Sequence, residues 1–131
     1  MQKIITDIFE RESLVVSWIS KRVNIKRQKL YDVELNDKII WFVGLRWIWK
    51  TTFLLQKRLE TPKSVYMSFD WWIFKNQNLF EIIKEIHKTY SINTFFVDEI
   101  HFFENWWELL KNIFDILDIK VIFSGSSMIN I

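Results

Sequence analysis

The chain has 131 residues, half of them apolar and 26% charged, with a net charge of +2 and no cysteine. This bounds it to one globular domain with a real core and excludes a disordered chain, a disulfide framework and a thiolate metal site. No apolar run approaches the roughly 18 residues of a membrane span, and Lys3, Asp7 and Glu10 interrupt any signal-like stretch, so a cytoplasmic protein without membrane association is expected.

In chain order, Ile4, Ile5, Ile8 and Phe9 and then Leu14, Val15, Trp18 and Ile19 fall at helical spacing, which predicts two helices ahead of the core. The cluster Lys21, Arg22, Lys26, Arg27 and Lys29 suits phosphate or acidic lipid, although such a run is more often a solvated face. Tyr31 to Leu35 reads as a short strand, and Asn36-Asp37 as a turn. Residues 1–37 are thus expected to be a helical lead-in, and residues 38–131 the core.

The core opens with an apolar run, Ile39 to Val43, which Gly44 breaks before Lys50-Thr51-Thr52 begins an amphipathic helix. Pro62 stops that helix, and Ser64 to Phe69 reads as a second strand that ends in Asp70 and a turn holding Trp71 and Trp72. A helix from Leu79 to Tyr90 presents Leu79, Ile82, Ile83 and Ile86 on one face, with His87 on the other. Thr94 to Val97 is a third strand that delivers Asp98-Glu99. Trp106 to Leu117 is a helix with Leu109, Leu110, Ile113 and Phe114 as its core side, and Lys120 to Phe123 a fourth strand leading into Ser124-Gly125-Ser126-Ser127. Strands alternating with helices predict an α/β fold, a mostly parallel sheet covered on both faces, with ligands at the carboxyl ends of the strands.

Three of those ends carry chemistry. Gly44, Lys50 and Thr51 stand in the register of the phosphate-binding pattern G-x-x-x-x-G-K-[ST], in which backbone amides cradle phosphate, the lysine reaches the β/γ-phosphates and the hydroxyl meets Mg²⁺. Trp49 occupies the second glycine position, where an indole should fill the phosphate site. Asp98-Glu99, 48 residues after Lys50, resembles the second nucleotide signature: Asp98 toward Mg²⁺, Glu99 toward the attacking water. Ser126 is the preferred polar sensor in the last turn, with a plain serine-rich turn as the alternative. His101 is a candidate relay of nucleotide state, a surface histidine being the plainer reading.

The succession Gly44-Leu-Arg-x-x-x-Lys-Thr-Thr52, Tyr66-Met-Ser-Phe-Asp70, Phe95-Phe-Val-Asp-Glu-Ile-His101, Asn105-Trp106 and Ile122-Phe-Ser-Gly-Ser-Ser127 resembles the prokaryotic AAA-type ATPases that precede a helical, nuclease-like region. The resemblance runs from Lys38 to the end. It implies a three-layer P-loop NTPase sheet, ATP and Mg²⁺ as ligands, a loop formed by Gly44, Arg46, Trp47, Ile48, Trp49, Lys50, Thr51 and Thr52, and metal binding at Thr51 and Asp98. It also implies hydrolysis through Glu99 with a sensor at Ser126. Arg46 matches an arginine of the family's loop, lying near phosphate or between subunits, or simply at the surface. Against that pattern the chain reads as an N-terminal fragment, lacking the last core strand, lid and arginine finger, with a homo-oligomer and the C-terminal region of the same protein as expected partners.

The composition bears on Trp49. There are 2 glycines and 8 tryptophans where ~7% glycine would give about nine, so the excess of one nearly equals the deficit of the other. We expect several tryptophans to stand at glycine codons, a UGA read as Gly having been translated as Trp; Gly at positions 47 and 49 completes the loop. The alternatives are a nucleotide-free pseudo-ATPase that acts as an interaction module and, more weakly, a nucleic-acid stacking surface.

Overall fold

The computed structural model describes residues 1–22, 38–42 and 47–125. Its centre is a four-stranded, wholly parallel sheet formed by β1 (Ile39–Phe42), β2 (Ser64–Ser68), β3 (Thr94–Asp98) and β4 (Lys120–Ser124), in the order β1-β4-β3-β2. Between them run α2 (Trp47–Glu60), α3 (Leu79–Tyr90) and α4 (Trp106–Ile116), with α1 (Gln2–Arg22) ahead of the sheet. Strands β2, β3 and β4 are short, mainly apolar runs buried on both faces, as covered parallel strands must be.

Paired residues of a parallel ladder share a face. Tyr66, Ser68, Phe96, Asp98, Ile122 and Ser124 therefore lie on one face and Val65, Met67, Phe95, Val97, Val121 and Phe123 on the other. Helix α2 meets the first face through Thr51, which donates a hydrogen bond to Asp98. Helix α4 covers the second, with the Trp106 ring 6.3 Å from Phe123, and α3 packs on α4. The layers are helix, sheet, helix. Asn78 starts α3 by accepting from the Glu81 amide, and His87 donates from Nδ1 to the Ile92 carbonyl just beyond its end.

The two apolar groups, Ile4 to Phe9 and Leu14 to Ile19, fall on a single helix, α1, unbroken from Gln2 to Arg22, and the rest of the expected helical lead-in lies outside the described residues. The polar run Glu10 to Ser13 looks like a break, but Glu12 continues the buried stripe of Ile5 and Ile8 and is itself 5% exposed. Its carboxylate accepts from Arg58 Nε at 2.6 Å and from the backbone amide of Tyr66 at 2.7 Å. Strand β2 lies at the sheet's edge, so α1 satisfies an edge amide and blunts a surface that would otherwise invite pairing. Helix α2 likewise begins earlier than the sequence suggests, at Trp47 instead of Lys50. The strand expected at Tyr31 to Leu35 and most of the basic cluster lie outside the described residues.

The tryptophans expected at a glycine turn divide. Trp71 is buried, with extended backbone (φ −66°, ψ 133°), stacked on Phe74 at 6.1 Å and under the Arg11 guanidinium at 5.9 Å, while Trp72 is exposed. Among the described residues the positive-φ non-glycine positions are Lys63, Asn76, Ser91 and Glu99. None is a tryptophan, and Trp47 and Trp49 sit on helical backbone, so no described tryptophan occupies a conformation that demands glycine.

Candidate functional site

Because all four strands run the same way, their C-terminal ends meet at one edge: Phe42 pairs with Ser124, and Ser68 with Asp98. At the middle of that edge Asp98 is 2% exposed. A carboxylate held so far from water must have its oxygens satisfied, and four donors from four segments do this. Oδ2 accepts from Thr51 Oγ1 at 2.5 Å and from the Tyr66 hydroxyl at 2.8 Å. Oδ1 accepts from the Glu99 amide at 3.1 Å and from Ser124 Oγ. One aspartate thus ties the start of α2 to β2 and β4.

The local causes are visible in the chain. Thr51 lies one turn into α2, on the side turned to the sheet, with Thr52, Phe53, Leu54 and Leu55 buried beside it. Tyr66 reaches Asp98 diagonally from two positions back on the neighbouring strand, a span a long aromatic side chain covers. Burial foremost, and then the Asp98 carboxylate, hold the Tyr66 phenol well above its usual pKa, so it keeps its proton and donates.

Glu99 follows in left-handed conformation (φ 54°, ψ 45°), the sharp turn that directs its amide back onto Asp98 while its side chain leaves the sheet, partly exposed. Its Oε2 is 3.2 Å from His101 Nε2, so the two residues singled out after the third strand form one pair. Ser68 donates to Asp70 Oδ1 at 2.5 Å at the end of β2.

Of the residues expected in the site, Thr51, Asp98 and Glu99 are brought together, and Thr52 is buried in the core. Trp47, Ile48, Trp49 and Lys50 form the first turn of α2, directly before Thr51. Gly44, Arg46 and Ser126 lie outside the described residues. Sequence reasoning missed Tyr66 and Ser124 as partners of Asp98. The available signal was a polar atom at alternate positions of otherwise apolar strands, but it needs the strand order to be read.

The donor set suits a hard divalent cation: carboxylate and hydroxyl oxygens, with neither thiolate nor imidazole at Asp98. Among the described residues no group of three or more carboxylates and imidazoles could hold a metal alone. A cation that takes most of its ligands from phosphate and water would need only this much protein. No helix among the described residues is long and apolar enough to cross a membrane.

Residues 36–131 match a family model described as an AAA domain. The chain is also 29% identical over 122 residues to the uncharacterized protein MJ1637 of Methanocaldococcus jannaschii, across 82% of this chain and 26% of that protein. It thus spans only that 26% of the length of the curated relative it matches. No solved structure matches it.

Proposed function

The chain belongs to the AAA domain family, and on that premise we propose that it binds ATP with Mg²⁺ and hydrolyses it. The observation that carries this reading is the 2.5 Å hydrogen bond from Thr51 to Asp98, which joins the helix after the first core strand to the end of the third. The first amides of α2, from Trp47 to Lys50, lack partners within the helix, and the helix dipole adds to their attraction for an anion.

In this reading Lys50 meets the β/γ-phosphates, and Thr51 and Asp98 hold Mg²⁺, which draws charge from the phosphates when bound. The Thr51 proton goes to Asp98, leaving the hydroxyl lone pairs toward the cation. Glu99, partly exposed at the same edge, would orient the attacking water and take its proton as the water oxygen bonds to the γ-phosphorus and the bond from that phosphorus to the ADP oxygen breaks, giving ADP and phosphate. Ser126 senses the γ-phosphate, and a second copy of the chain completes the site.

Titration with a fluorescent ATP analogue and Mg²⁺, alongside Trp49→Gly, tests the proposal. Binding by either form supports it. Binding by the glycine form alone identifies Trp49 as the block, and silence from both removes nucleotide binding. UGG at the codons for Trp47 and Trp49 would end the recoding explanation.

A further inference from the structure

Tyr66 is held at both ends. Its amide donates to Glu12 Oε2 at 2.7 Å and its hydroxyl to Asp98 Oδ2 at 2.8 Å, with the ring 3% exposed between them and edge-on to Trp71 at 6.0 Å. The first anchor comes from α1, which precedes the family-matched residues 36–131. The second is the carboxylate that receives Thr51.

A buried phenol needs one acceptor, and a backbone carbonyl would serve for packing alone. This one ends on the oxygen that Thr51 also uses. Two donors on Oδ2, from α2 and from β2, together with the Glu99 amide and Ser124 on Oδ1, fix the rotation of the carboxylate about its own axis, where terminal torsions are otherwise broad. With that plane fixed, the Thr51 proton has one direction to take, and its lone pairs have one direction left.

We propose that Tyr66 is a positioning residue for the Mg²⁺ site, setting the Asp98 carboxylate plane through its hydroxyl while α1 fixes its backbone through Glu12. The proposal rests on the ATP–Mg²⁺ reading above. It adds a contribution from β2 to a site otherwise built from α2, β3 and β4, and it makes α1 part of the support of that site.

The test uses the full-length protein in whichever background, Trp49 or Trp49→Gly, binds a fluorescent ATP analogue. Mg²⁺ is titrated at fixed nucleotide, and nucleotide affinity is measured separately in EDTA. Tyr66→Phe removes one oxygen and keeps the ring. It should raise the Mg²⁺ midpoint about five- to tenfold, as loss of an outer hydrogen-bond partner does at metal sites, and leave the EDTA affinity within about twofold. Replacing Tyr66 by p-aminophenylalanine restores a donor on the same ring and should return the midpoint to the parent value. Glu12→Ala, which removes the acceptor of the Tyr66 amide, should lower the thermal unfolding midpoint and raise the Mg²⁺ midpoint by less than Tyr66→Phe does; an unchanged Mg²⁺ midpoint would remove α1 from the support of the site.

An unchanged Mg²⁺ midpoint in Tyr66→Phe overturns the proposal and leaves the ATP reading intact. So does failure of p-aminophenylalanine to restore it, which is also the decisive measurement if the phenylalanine form does not fold. Absence of nucleotide binding in both backgrounds overturns both readings together.

Discussion

Among the described residues two carboxylates lie deep in the domain, and they are satisfied in opposite ways. Glu12, 5% exposed, is met by a full positive charge, the Arg58 guanidinium, with a second nitrogen at 3.4 Å and one edge amide. Asp98, 2% exposed, is met by two aliphatic hydroxyls, a phenol and an amide, all neutral. The first is a finished ion pair that pins α1 to α2 and β2. The second is a carboxylate oriented by neutral dipoles, and in the reading proposed above its charge is balanced by the Mg²⁺ that ATP brings. Burial alone would have called both structural; the charge of the partners separates a strut from a site.

The contrast breaks most readily at Glu12. Glu12→Ala strands the Arg58 guanidinium and an edge amide, and should destabilise the fold by about 3 kcal/mol in urea unfolding. A loss under half of that would mean Arg58 finds another partner. Asp98→Asn keeps the volume and removes the charge. It should weaken Mg²⁺-dependent nucleotide binding by about 10- to 100-fold with a much smaller effect on unfolding. If its main effect is on stability instead, Asp98 belongs with Glu12. The smallest effect concerns pH. The Tyr66 pKa is raised in the folded state, so its contribution is complete below the unfolded value near 10 and is lost as pH rises toward the folded value. Comparing urea midpoints at pH 9 and pH 11, the parent should lose more stability than Tyr66→Phe, with a slope of up to about 1.4 kcal/mol per pH unit from this group.

Much of the core was legible because its strands are short unbroken apolar runs and its helices carry regular stripes. Ile82, Ile83 and Ile86 on α3 and Leu109, Leu110 and Ile113 on α4 are buried as their spacing predicts, whereas Phe114, expected on the same side of α4, is exposed because it lies one position past the buried stripe. Trp106 was readable as a true packing residue and lies against Phe123. Thr51 and Asp98-Glu99 stood out because the phosphate-loop and acidic signatures are local.

What stayed hidden depends on neighbours distant in sequence. That β4 inserts between β1 and β3, bringing Ser124 beside Asp98, follows from the sheet order and not from any stretch of residues. Tyr66 is invisible as a site residue until β2 and β3 are placed in register. Glu12 is hidden for the same reason. A charged residue on a helix reads as solvent-facing or as a break, and only its pairing with Arg58, 46 positions away, makes it part of the interior.

The left-handed turn at Glu99 carries a consequence of its own. A glutamate there sits in a conformation that L-residues other than glycine enter at a penalty of about 1–2 kcal/mol. Glu99→Gly should therefore yield a protein that resists heat at least as well as its parent while losing turnover. In the proposed reading durability and chemistry pull apart at that corner, the acid standing against the preference of its own backbone.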